Sequence, residues 1–251
     1  MKLAHLAAAA LVACGAGRYQ SARVAALPSS TATPVDRSLF AKEPEGRLAE
    51  DDLQRLLASP IALDLPARVG VVPIVTATDW RGPSPDWSHV PRGASAFAGA
   101  LRGSPSFSLV TEVLPIPSGA LGMEALRETA ARYALRYVLL YREELDRRSE
   151  ANGIAAGYVT LLGALFLPGQ TLAVDGFVEA SLFDVKTGLL FFTVRRAVHG
   201  DRGSNLWYTD RKLEELAGSV ATRAAPELAG DVRGDVGRFA EAVEVENRRR
   251  M

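Results

Sequence analysis

The stretch ARVGVVPIV, residues 67–75, constrains the fold more than any other part of the chain. Its β-branched run hardly alternates, whereas a strand with one face in water alternates apolar and polar residues, so both faces of this strand are expected to be covered. The residues that follow supply the cover. ASAFAGALRG at 94–103 is helix-capable, and FSLVTEVLPIP at 107–117 alternates like a second strand. GALGMEALRETAARYA sets Leu121, Ala125, Leu126, Thr129, Ala130 and Tyr133 on one helical face, and LRYVLLYREEL at 135–145 continues as a third strand. Strand, helix, strand, helix, strand predicts right-handed parallel crossovers.

After residue 153 the pattern changes to GYVTLLGALFLPG, then TLAVDGFVEASLFDV and GLLFFTVRRAVHG. The last two meet through Lys186, Thr187 and Gly188 and predict an antiparallel hairpin. From Asn205 to about Glu246 the spacing is helical: Leu213, Leu216, Ala217 and Val220 share a face before Pro226 is expected to interrupt the helix, and a second segment repeats the spacing through Val232, Val236, Phe239, Ala240 and Val243. The expected fold class is therefore α/β: a mixed sheet begun by parallel strands, closed by an antiparallel hairpin and followed by C-terminal helices. The folded domain is expected over 65–203, with the helices of 204–251 packed on it. AEDDLQRLLAS at 49–59 predicts a short helix docked on the domain, with Leu53, Leu56 and Leu57 on one side.

The N-terminus predicts a location. Lys2 is followed by an apolar run, Leu3 to Ala13, interrupted only by His5, and then by the single cysteine, Cys14. This is the layout of a signal peptide over 1–13, shorter than the roughly 20 apolar residues of a membrane span. Residues 14–64, with LPSSTATP at 27–34, have the composition of a tether. Lys+Arg and Asp+Glu both count 29, so no net field favours nucleic acid.

Catalytic motifs are missing. Apart from His5 the chain has only His89 and His199, and neither HExxH, GxSxG, P-loop nor GxGxxG occurs. No metal or cofactor is expected. KTG at 186–188 lacks a companion SxxK and is taken as a hairpin turn. Glu143, Glu144 and Asp146, interleaved with Arg142, Arg147 and Arg148, are expected at a solvated strand end. Asp175, Glu179 and Asp184 permit a glycosidase-like pair, though nothing in their spacing favours it over surface charge. DWRGPSPDWSHVPRG, residues 79–93, follows the first strand and holds two of the three tryptophans. A loop with exposed aromatics and Arg suits partner contact, so Trp80, Arg81, Trp87 and His89 are the candidate partner-binding residues. The apolar stretch from Ile154 to Leu167 is expected to be a buried strand or a Gly-rich element beneath the helices, with a membrane hairpin in an oligomeric pore as the alternative.

Leu11, Val12, Ala13 and Cys14 resemble the bacterial lipobox. That resemblance implies acylation of Cys14, which becomes the N-terminus after cleavage, and Gly15 in the following position implies outer-membrane placement on the periplasmic face. Two acyl chains hold a protein on a membrane stably. ARYALRYVLLY, LLGALFLPGQT and VEASLFDVKTGLLFFTV are similar to rhombotarget-type lipoproteins and, more distantly, the element order resembles the curli-secretion lipoprotein and TolB N-terminal domain group, across residues 67–200. The chain ends VEVENRRRM where rhombotarget proteins carry an apolar segment, so processing by a rhomboid-like sorting protease is not expected. The resemblance implies no catalytic residues. The expected function is a non-enzymatic, lipid-anchored periplasmic protein that binds envelope proteins, with a homo-oligomeric secretion or pore component and a carboxylate-dependent cell-wall hydrolase as alternatives.

Overall fold

A computed structural model describes residues 50–59, 61–75, 90–113, 116–117, 123–153 and 167–250. Helix α1 (Glu50–Ala58) precedes strand β1 (Ala67–Val75), helix α2 (Ala94–Leu101), strands β2 (Phe107–Glu112) and β3 (Ile116–Pro117), and helix α3 (Met123–Arg132). Three long strands follow, β4 (Tyr137–Ala151), β5 (Gln170–Asp184) and β6 (Leu190–Ser204), and then helix α4 (Thr209–Arg250). The main strands run in the order β2-β1-β4-β5-β6, with β3 beside β1.

The predicted α/β class and the switch of strand direction are both present. β1 lies parallel to β2 and β4, and β5 is antiparallel to both β4 and β6. β1 is an interior strand, and it is apolar on both sides. Val69 and Val71 enter the larger core, against Phe97, Ala98 and Leu101 of α2 and against α4. Val72 faces the other way, into a smaller core with Leu126 and Ala130 of α3, Leu135, Val138, Leu140 and Phe183.

β5 and α4 explain the larger core. Leu172, Val174, Val178, Ala180 and Leu182 occur at every second or fourth position of β5 and are all fully buried. Leu213, Leu216, Ala217, Val220, Ala221, Leu228, Val232 and Val236 give α4 the matching stripe. At the far end Phe239 stacks on Phe191 with ring centroids 5.0 Å apart. Polar groups fasten the near end, where Glu214 receives salt bridges of 3.0 Å from both Arg92 and Arg147.

Three expectations are corrected. Pro226 does not divide the C-terminal segment, because α4 is continuous across it for 42 residues. Pro removes one intrahelical bond, yet Pro226 is exposed while Ala225, Leu228 and Ala229 beside it are buried, so packing overrides the break. Tyr133 does not join the buried face of α3: the helix ends at Arg132, and Tyr133 is 41% exposed. Helix α1 forms but does not dock, since none of its residues is buried and Leu57 is 72% exposed. No described helix is long and apolar enough to cross a membrane.

Candidate functional site

The pleat of the three long strands separates two chemistries. Even-numbered positions of β5 turn toward α4, so Thr171, Ala173, Asp175, Phe177, Glu179 and Ser181 occupy the other face. α3 covers the end of that face at Phe183. Beyond it, among the described residues, no helix covers β4, β5 and β6, and the exposed side chains form a charged field.

Register assembles this field. Asp146 lies opposite Asp175, and Asp175 lies opposite His199. Arg148 offsets the two facing carboxylates, with salt bridges of 3.1 Å to each. His199 Nδ1 stands 2.6 Å from Asp175, and its Nε2 lies 3.7 Å from Asp201. A second row runs Arg142, Glu179, Arg195 across the three strands, with Arg195 bonded to Glu179 at 2.6 Å. Between the rows Phe177 carries the guanidinium of Arg195 at 4.0 Å from its centroid and that of Arg142 at 5.5 Å. Arg142 Nη2 donates to Glu144 at 2.7 Å, while its Nε is buried without a hydrogen-bond partner. The result is a flat, cross-paired polar surface around one aromatic ring.

Two acidic groups expected on the surface are interior. Glu143 belongs to the face of β4 that carries Tyr137, Leu139 and Tyr141 into the larger core. Its carboxylate accepts from the Gly93 N–H at 2.7 Å and from the Tyr141 hydroxyl at 3.0 Å, closing the N-terminus of α2. Burial pushes the Glu143 carboxyl above its ordinary 4.5, against the opposing pull of these donors. Burial, and the adjacent Glu143 carboxylate, push Tyr141 up as well. Gly93 is required because a Cβ there would collide with the Tyr141 hydroxyl and the Ala221 carbonyl.

Asp184 is 2% exposed, so it is not surface charge. It accepts from Arg136 at 2.5 Å, from the Lys186 N–H at 2.8 Å and from the Thr187 hydroxyl at 2.9 Å. Arg136 also reaches Asp64 at 3.1 Å. Burial alone would lower the Arg136 guanidinium, but Asp184 and Asp64 outweigh it and hold the value raised. These contacts fix the β5–β6 turn, in which Gly188 takes φ +80° as the hairpin expectation requires. KTG is a turn.

Among the described residues Asp146, Asp175 and Glu179 do not build a hydrolytic cleft. Asp175 and Glu179 sit four residues apart on one strand, about 13 Å at roughly 3.3 Å per residue, beyond the separation glycosidases use. Asp146 and Asp175 face each other, but on an open surface with Arg148 bonded to both. An open groove along α4, lined by Arg92, Glu215, Gly218, Ser219, Thr222 and Arg223, holds no carboxylate pair. Among the described residues no cluster of His, Cys, Asp and Glu is arranged to hold a metal ion.

Cys14, Trp80, Arg81, Trp87, His89 and the stretch 154–166 lie outside the described residues. The charged field itself is absent from the sequence expectations. Its signal is the charge at alternate positions of three consecutive long strands, which becomes a surface only once register is known.

The fold and this face define a mixed α/β protein with one helix-covered side and one open, charge-paired side. No family model matches the chain, and no curated protein matches it. Among solved structures it is similar to the PelC dodecamer from Paraburkholderia phytofirmans, with 21% identity, covering 67% of this chain and 93% of that one, at a TM-score of 0.29. It is also similar to a minor lipoprotein from Acinetobacter baumannii, with 8% identity, 70% and 95% coverage and a TM-score of 0.35. A third is the rare lipoprotein B from Shewanella oneidensis, with 11% identity, 67% and 98% coverage and a TM-score of 0.33.

Proposed function

We propose that this is a lipid-anchored envelope protein, held at the periplasmic face of the outer membrane through Cys14, whose α/β domain binds protein partners and turns over no substrate. The observation that carries the binding role is the open face of β4, β5 and β6. A flat surface of pre-paired charges around Phe177 can exchange its ion pairs with a complementary protein surface, and electrostatic pattern of this kind selects partners and orients encounters. Small-molecule turnover needs a concave, water-excluding site instead.

The lipobox-like LVAC supports the anchor, and the stretch from Gly15 to the start of β1 supplies a tether. Trp80, Arg81, Trp87 and His89 lie in sequence between β1 and Gly93, which Glu143 fixes, and are proposed as a second contact region.

Capture of bound proteins from the native envelope tests this reading. Replacing Glu144 and Arg148 together by Ser is expected to release partners while the chain stays folded, because both side chains are about half exposed and their ion pairs lie at the surface. Replacing Trp80 and Trp87 together is expected to change the captured set as well. Unchanged capture by the first pair refutes the role of the open face, and by the second pair the role of the loop.

A further inference from the structure

We propose that β6 is a self-complementary edge through which two copies of this chain join their sheets across a two-fold axis. Among the described residues no strand lies beyond β6 in the sheet order, so over residues 190–203 one side of the strand presents backbone donors and acceptors to which no described strand is laddered. Such an edge recruits another strand unless its side chains forbid it.

The side chains of β6 favour one register. Two copies related by an axis normal to the sheet keep their α4 helices on the same side, and directly opposed residues must then share a face, which limits antiparallel pairing to shifts of two residues. Centring the axis on Val198 sets Arg195 opposite Asp201 of the second copy, twice over by symmetry. Ala197 then faces His199, and Val198 faces its own counterpart on the side toward α4. A shift by one pair, to centre on His199, sets Arg196 opposite Arg202, which is destabilising for like charges.

The charge rows within one chain point to the same register. Arg142, Glu179 and Arg195 lie in cross-strand register on β4, β5 and β6, an alternation of plus, minus and plus that ends at the β6 edge. Centring on Val198 continues it with a carboxylate, the second copy's Asp201. The side chain of Asp201 is 67% exposed, and its contact among the described residues is the His199 ring at 3.7 Å, which leaves it open to a second copy. Arg195 is 55% exposed despite its bond to Glu179. Opposed charges at a strand edge thus act as a register key while barring the neighbouring alignment.

This inference does not rest on the lipid anchor. The test uses the full chain with Cys14→Ser, so that acyl chains cannot cause association. Sedimentation velocity is expected to show a species of twice the chain mass. Arg195→Asp and Asp201→Arg should each shift it to monomer, because each sets two like-charge contacts across the axis, and the double variant Arg195→Asp/Asp201→Arg should recover the dimer. Register is read independently by disulfide formation: an equal mixture of Ala197→Cys and His199→Cys chains should cross-link, whereas Ala197→Cys alone, with its two copies diagonal to each other, should cross-link far less. A monomeric parent chain overturns the proposal. So does a dimer that survives both single reversals, or a mixture that cross-links no better than either variant alone.

Discussion

Removing the carboxylate of Asp184 should be among the most damaging single changes on the sheet. Asp184→Ala deletes the 2.5 Å ion pair with Arg136 and the two bonds that hold Lys186 and Thr187 in the β5–β6 turn. Hydrogen bonds to charged groups contribute roughly 1.5–3 kcal/mol each, and losing one member of a buried pair costs about 3–5 kcal/mol. Arg136 keeps Asp64, and its side chain is 25% exposed, so part of the stranded charge is still solvated. The lower end of that range applies, about 3 kcal/mol, or roughly 6–12 °C in thermal midpoint for a domain of this size. Urea unfolding of the Cys14→Ser chain, followed by far-ultraviolet circular dichroism, measures it by linear extrapolation. Asp184→Asn should cost less, because the amide oxygen still accepts a turn bond. Combination with Arg136→Ala should give a coupling of about 1.5–3 kcal/mol. A loss below about 1 kcal/mol for Asp184→Ala, or additivity of the two changes, refutes the assignment of this pair as the turn's anchor.

Three further outcomes follow from the interior polar groups and α4. Glu143 has a raised carboxyl value, so the native state holds its proton more readily than the unfolded chain. Its contribution is fully present below the ordinary 4.5 and is lost as pH rises through the native value. Wild type should therefore gain on Glu143→Gln as pH falls from 7.5 toward 4.5, and paired urea melts showing a constant or opposite difference would contradict it. Gly93→Ala forces a methyl against the Tyr141 hydroxyl and the Ala221 carbonyl and should cost about 1–3 kcal/mol in the same assay, with a neutral result counting against the close packing. Pro226→Ala restores an amide to an exposed point of α4 and should stabilise the chain by about 2 kcal/mol, after some loss to the freer unfolded state, whereas destabilisation would show that Pro226 is needed for the path of the helix.

The order of elements was legible because burial on two faces leaves a mark in residue type. ARVGVVPIV suggested a strand covered on both faces, and Lys186, Thr187 and Gly188 marked the hairpin turn. The continuity of α4 was not legible, since a local rule for Pro226 competes with buried residues on both sides, and the outcome depends on the surface those residues meet. Leu53 and Leu57 have the right spacing for docking, but spacing cannot say whether a partner surface exists. The site was harder still. Glu143 and Glu144 are neighbours with the same charge, and the pleat sends one to the N-terminus of α2 and the other to the open face. Continuing the alternation of Tyr137, Leu139 and Tyr141 by one step would have found Glu143. Asp184 differs from Asp175 in the face its position takes on β5 and in its place beside Arg136, which is a contact across 48 residues of sequence. Ion pairs between strands become visible with register, and register is a property of the whole sheet.

The most direct test of the central claim joins the anchor to the face. The native protein would be captured from its envelope alongside Cys14→Ser and Glu144→Ser/Arg148→Ser chains, with mass spectrometry of the N-terminus and of the proteins retained. The account predicts an acylated Cys14 at the N-terminus of the native chain, a reproducible partner set, and loss of that set in the open-face variant while its own N-terminus remains acylated. An unmodified N-terminus contradicts the anchor, and a partner set identical in the open-face variant contradicts the role of β4, β5 and β6.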